Sequence, residues 1–264
     1  MTTTDTGKVD RRSTRWEAHR RERRRQLIEA AILAVQKYGS GASMDQIADE
    51  SKTSKSIIYK YFGDKEGLQY AIGEHMISEI LAMLDGAVER GASFEEVLTL
   101  VTSQFLDLVD ESPALYRFMK VAEFQDDPHA ALISKLDRSM IDAWSRLFYV
   151  DGEIAKHELH EGVVHAWLVG VISMVKGLAE SWLVVREVTR NAEDYQGLEL
   201  SPGQASFARI DRQILQEMLV SSISRLMEAI VVDMYALLTG GEVSEAKRAE
   251  IIEHVKAFSP AYED

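Results

Sequence analysis

Residues Ala42–Leu68 read ASMDQIADESKTSKSIIYKYFGDKEGL, and the punctuation of this stretch decides the fold. Ser43-x-x-Gln46 has the form of a capping box, which opens a short helix carrying Ile47 and Ala48 and ending near Ser51. Lys52-Thr53 reads as a tight turn. Ser54 is placed to cap a second short helix through Tyr61 or Phe62, which Gly63 breaks. Asp64 caps a further helix from Lys65 to about Arg90. Upstream, Leu27, Ile28, Ala31, Val35 and Tyr38 recur at helical spacing, with Thr14-x-x-Glu17 as the opening signal and Gly39 and Gly41 as the stop. A long helix followed by two short ones, with a turn of a few residues between them, is a helix-turn-helix pattern.

The chemistry of the second short helix suits a duplex. A helix about 10–12 Å wide fits a major groove about 12 Å wide. Entering by its N-terminus, the helix would present free N–H groups and its dipole to phosphate. Lys55, Ser56, Tyr59 and Lys60 supply cationic and hydroxyl donors, and Ile57 can meet a thymine methyl. Ile47, Ala48 and Ile58 hold the helix pair together, with Phe62 and Leu68 beneath.

Taken in order and spacing, Ala42-Ser43, Ile47-Ala48, Ile58-Tyr59-Lys60-Tyr61-Phe62 and Asp64-Lys65-Glu66-Gly67-Leu68 resemble the N-terminal domain of TetR-family transcriptional regulators. Two positions depart from the family pattern. Lys52 stands where a glycine is usual, so a positive φ there would carry modest strain. Gly67, inside the fourth helix, costs about 1 kcal/mol relative to alanine. The resemblance covers roughly residues 20–70 and implies roles residue by residue. Ser43 would cap the first short helix and touch a phosphate. Ser54, Lys55, Ser56, Ile57, Tyr59 and Lys60 would open and line the recognition helix. Tyr59 and Tyr61 would contact the DNA backbone, core packing being the other reading of Tyr61, and Lys65 would meet a phosphate.

Arg20 and Arg24 belong to a cluster with Arg21, Arg23 and Arg25, preceded by Arg11, Arg12 and Arg15. This is either a solvated helix face or a basic arm that grips phosphates or a minor groove. Net charge is −13, yet residues 1–70 carry 14 basic and 10 acidic side chains while the remainder carries 16 and 33. A basic head on an acidic body implies that only the head meets a polyanion. The expected organisation is a flexible basic arm over 1–19, a helix-turn-helix domain over 20–66, and an all-α ligand-binding and dimerisation domain over 67–264.

That larger domain reads as helical throughout. Ser93-x-x-Glu96 caps a helix to about Asp110, and Pro113 and Pro128 mark breaks. Further helices are expected over 114–125, 129–148, 153–186, 204–238 and from Ser244 to about Phe258. Gly162, Ala166, Gly170, Ser173, Gly177 and Ser181 recur every three or four residues and leave one helix face without bulk. Together with Ile214, Met218, Ser222, Leu226 and Ile230 on the last long helix, they are the expected homodimer interface. In regulators of the resembled family the late helices form a four-helix bundle with their copies, and packing within one chain is the alternative. Phe105, Leu108, Phe118, Met119, Phe124, Met140, Trp144, Leu147, Trp167, Met174 and Leu178 are large and adaptable. They form either ordinary core or the lining of a cavity for a hydrophobic effector such as an acyl chain, free or as a CoA thioester.

Other chemistries fail on residue type or spacing. The absence of cysteine excludes disulfides, thiolate nucleophiles and cysteine metal sites, and fits a reducing cytoplasm. His157, Glu161 and His165 do not meet the His-Glu-x-x-His pattern, and no phosphate-cradling glycine loop or nucleophile elbow occurs. No cofactor, metal or enzymatic activity is expected, a helical metalloenzyme and a DNA-bound structural or recruiting factor being the rival readings. The start of the chain has no apolar leader. The apolar stretch Val163–Val185 is interrupted by His165, Lys176 and Glu180, so a buried helix is expected there and no membrane partner.

Overall fold

The computed structural model describes residues 11–120, 160–191, 193, 195 and 197–256, which form ten helices and no strand. They are α1 (Arg11–Tyr38), α2 (Met44–Glu50), α3 (Lys55–Phe62), α4 (Lys65–Glu89), α5 (Phe94–Glu111), α6 (Pro113–Lys120), α7 (His160–Arg190), α8 (Pro202–Phe207), α9 (Arg212–Thr239) and α10 (Glu245–Lys256). The chain divides into two compact units, Met1–His75 with Ala114–Phe124, and Met76–Pro113 with Gln125–Asp264. The sequence places the domain boundary at 66/67; the structure assigns the first turns of α4 and most of α6 to the helix-turn-helix unit.

In that first unit the signals at Ser43, Gly63 and Asp64 act as read. Ser43 accepts from the backbone N–H of Gln46, whose side chain accepts from the backbone N–H of Ser43 in return, closing the capping box of α2. At the end of α2, Thr53 N–H donates to Ala48 and Lys52 N–H to Asp49, the bonding pattern of a Schellman closure. Lys52 takes the left-handed position of that closure with φ 49°. Ser54 stands at the N-cap of α3, but its side chain makes no capping hydrogen bond. Leu27, Ile28, Ala31, Val35, Ile47, Ala48, Ile58, Phe62 and Leu68 are buried.

α1 begins at Arg11 and runs through Thr14, so residues 11–19 are helical where the sequence suggests a flexible arm. Arginine is a good helix former, and the run of arginines extends α1 upstream of its apolar part. Gly67 is explained by the α3–α4 corner. A Cβ there would overlap the carbonyl oxygen of Phe62, while Asp64 accepts from the Gly67 N–H at 2.6 Å. The glycine therefore permits a close backbone approach, and its helix-propensity cost accompanies that approach.

The second unit is built around α5, α7 and α9. Phe94, Val97, Leu98, Val101, Leu106 and Val109 bury one stripe of α5, which starts on the Ser93–Glu96 capping box. Trp167, Leu168 and Val171 of α7 and Val220, Ile223, Met227, Val231 and Val232 of α9 join its core. Polar links fasten the same three helices. Arg186 donates to Asp110 at 2.9 Å, and Arg212 pairs with Asp107 and donates to the Ser103 hydroxyl at 2.7 Å. By length and composition α7 could cross a membrane over His165–Arg190, but this chain packs one side of it into the core.

One expected helix is two. The stretch 204–238 divides into α8 and α9, with Asp211 capping α9 by accepting from the Ile214 N–H at 2.9 Å. The fully buried indole of Trp182 donates to the Ile210 carbonyl at 2.8 Å. An N-capping aspartate and a carbonyl engaged by a side chain outweigh the apolar periodicity of Ile210 and Ile214.

Candidate nucleic-acid interface

The surface of α3 is divided by burial. Ile58 and Phe62 face the core, whereas Ser56, Tyr59 and Lys60 are exposed and Lys55, Ile57 and Tyr61 half-buried. Lys55, Ser56, Tyr59 and Lys60 stand at i, i+1, i+4 and i+5, which is one helix face. Ser54 and Ser43 are exposed at the N-caps of α3 and α2. The capping box uses the Ser43 hydroxyl as an acceptor, so its O–H proton stays free to donate.

Charge partners rank the cations of this unit. Lys55 pairs with Asp45 at 2.9 Å, and that hydrogen bond raises the pKa of the lysine. Lys37 on α1 pairs with Glu50 on α2, also at 2.9 Å. Arg24 lies 3.7 Å from Glu74 and 5.5 Å over the Phe62 ring, so it braces α1 against α3 and α4. Lys65 is half-buried, with its ammonium 5.2 Å over the Phe118 ring. Arg20 and Arg21 are exposed. Trp16, Glu17, Ala18, His19 and Glu22 are exposed as well, so this part of α1 buries no face.

Residues 27–72 match the family described as bacterial regulatory proteins, tetR family. The chain carries the DNA-binding domain of the TetR family. It is a DNA-binding, helix-turn-helix transcriptional regulator. An uncharacterized HTH-type transcriptional regulator of Mycobacterium tuberculosis (strain H37Rv) is 27% identical to this chain over 185 residues, 67% of the chain and 75% of that protein. The HTH-type transcriptional activator FasR of Mycolicibacterium smegmatis is 25% identical over 166 residues, 62% of this chain and 74% of that protein. The crystal structure of a TetR-family regulator from Streptomyces coelicolor shares the fold, with TM-score 0.51 and 20% identity over 92% of this chain and 91% of that one.

The remaining candidate residues distribute as follows. Phe118 and Met119 fall in the first unit, Phe118 fully buried. Phe105, Leu108, Trp167, Met174 and Leu178 fall in the second. There Trp167 is core, Met174 packs against it, and Leu178 is exposed. Phe124, Met140, Trp144, Leu147 and His157 lie outside the described residues. On α7, Gly162, Ala166, Gly170, Ser173, Gly177 and Ser181 are all exposed, and a Cβ on any of the three glycines would meet nothing among the described residues. On α9, Ile214, Met218, Ser222 and Leu226 are exposed, while Ile230 is half-buried against the core.

Sequence reasoning missed Asp45 and Gln69. Asp45 reads only as a favourable charge in the first turn of α2, and its partner stands ten residues away. Gln69 is polar at a helical position with no motif around it, yet it is buried.

Proposed function

We propose that the chain is a cytoplasmic, homodimeric repressor that binds a near-palindromic operator in double-stranded DNA and is released by a hydrophobic small molecule. The exposed face of α3, in a chain of this family, carries the DNA half of the reading. Lys55, Ser56, Tyr59 and Lys60 read or grip the major groove, with Ile57 against a thymine methyl. Ser43, Ser54, Tyr61 and Lys65 fix the register on phosphates, and Arg20 and Arg24 add charge beside them.

Homodimerisation is supported by the bare stripe on α7 and the exposed Ile214, Met218 and Leu226 on α9. Because nothing among the described residues approaches Gly162, Gly170 or Gly177, their small size serves no contact with any described part of the subunit. A second copy of the same helices is the occupant we assign to this face. Two-fold symmetry then places two recognition helices one DNA turn apart, about 34–36 Å.

An acyl chain, as fatty acid or acyl-CoA, is the effector class that suits the methionine and aromatic side chains. DNA and effector each favour one arrangement of the dimer, so their affinities are reciprocally coupled. The unbroken α4, shared by both units, supports it as the relay. The name of FasR as an activator favours a second reading, in which the bound regulator raises transcription.

Selection of bound duplexes from a randomised pool tests the DNA half. A two-fold-symmetric consensus with half-sites one turn apart is expected, and failure to enrich any sequence refutes it. Native mass spectrometry of the purified protein, followed by denaturing extraction, tests the rest. A dimer with extra mass of lipid-like composition is expected. A monomer refutes the interface, and a dimer that neither carries nor binds acyl ligands refutes the effector class.

A further inference from the structure

The ion pair between Lys55 and Asp45 joins the first turn of the recognition helix to the first turn of α2 at 2.9 Å, with the two side chains 42% and 70% exposed. Exposed pairs are weak and open readily, so this one can exchange partners on binding. Lys55 remains an ammonium in the pair, because the hydrogen bond it donates to Asp45 raises its pKa. What the pair removes is the net charge offered to an approaching polyanion. Lys60, on the same face of α3, has no carboxylate partner among the described residues.

DNA offers two kinds of replacement for such a pair. Phosphates present acceptors only, which suit the lysine and repel the aspartate. The major-groove edge of a G·C pair presents the guanine O6 and N7 acceptors beside the cytosine N4 donor. An ammonium and a carboxylate held side by side are complementary to that edge and to no phosphate. We infer that Asp45 is a specificity-determining residue, which keeps Lys55 from sequence-independent phosphate contact and, with Lys55, reads a G·C base pair in the operator half-site. The inference rests on the DNA-binding reading above and deepens it.

The test compares the full-length protein with Asp45→Asn, Lys55→Gln and the double variant on a random-sequence duplex of about 30 base pairs, across a salt series around 0.1 M. Matched thermal melts restrict the comparison to folded protein. Asp45→Asn should tighten random-duplex binding about fivefold and steepen the slope of log K against log salt by about 0.9, one additional phosphate. In the Lys55→Gln background the same change should tighten binding less than about twofold. Equal tightening in both backgrounds means that Asp45 acts only through overall charge, and overturns the inference.

Selection from a randomised pool gives the second readout. The parent protein should enrich one G·C position per half-site that Asp45→Asn relaxes. A consensus unchanged by Asp45→Asn also overturns the inference. If the parent binds no duplex and enriches nothing, the DNA-binding reading itself fails, an outcome distinct from either of the others.

Discussion

The side-chain amide of Gln69 on α4 donates a 2.7 Å hydrogen bond to the carbonyl oxygen of Phe118 on α6. Donor and acceptor are 49 residues apart, and both residues are buried. The last carbonyls of any helix lack partners within it, and α6 is only eight residues long. Gln69 satisfies one of them, so that α6 packs with the helix-turn-helix unit. Replacing Gln69 with leucine should leave the Phe118 carbonyl buried and unpaired, at a cost of about 1–3 kcal/mol. Urea unfolding measures it, and a loss under about 0.5 kcal/mol would mean that water or relaxation replaces the bond.

Lys52 bears the left-handed conformation that closes α2, with φ 49°. Glycine adopts that conformation without the steric penalty but loses more chain entropy on folding. The balance predicts that Lys52→Gly stabilises the protein by about 0.5–1 kcal/mol, seen as a higher urea midpoint at unchanged slope. A lower midpoint would show that the lysine side chain contributes more than its backbone strain costs.

Gly170 and Gly177 face open space among the described residues. Leucine at either position should be tolerated there, and favoured by about 0.8 kcal/mol through helix propensity. In a dimer packed across this stripe the same side chains would overfill the interface, at about 1–3 kcal/mol. Sedimentation velocity on Gly170→Leu and Gly177→Leu should therefore show helical monomers at concentrations where the parent dimerises. Dimers of unchanged affinity would exclude this face as the interface.

Glu96 accepts a hydrogen bond from the backbone N–H of Ser93, and from its hydroxyl, which holds its carboxyl below the ordinary value of 4.5. A depressed folded-state pKa contributes stability that is present above the unfolded value and lost as pH falls through the folded one. Glutamine at this position keeps an acceptor for the cap and does not titrate. Between about pH 5 and about pH 3 the parent should lose more stability than Glu96→Gln, read as the shift in urea midpoint. A parallel decline in both proteins would place the acid sensitivity elsewhere.

Features that act within one helical turn are legible in the amino-acid sequence alone. The capping boxes at Ser43 and Ser93, the stop at Gly63 and the apolar repeats of α1 and α5 each depend on residues three or four apart. That range is set by the helix itself, so residue type and spacing suffice. The ordered set from Ala42 to Leu68 points to the family for the same reason, since a helix-turn-helix is a sequence of such local decisions.

Tertiary structure decided what depends on residues far apart in the chain. Trp182 reaches the carbonyl of Ile210 and helps separate α8 from α9, although the apolar period continues across the break. Gln69 binds Phe118 and ties α6 to the first unit. Asp45 meets Lys55 only because α2 and α3 fold against each other. A hydrogen bond or ion pair between distant residues leaves no period in the sequence. Its existence depends on where the fold brings two side chains, and on whether burial leaves them another partner.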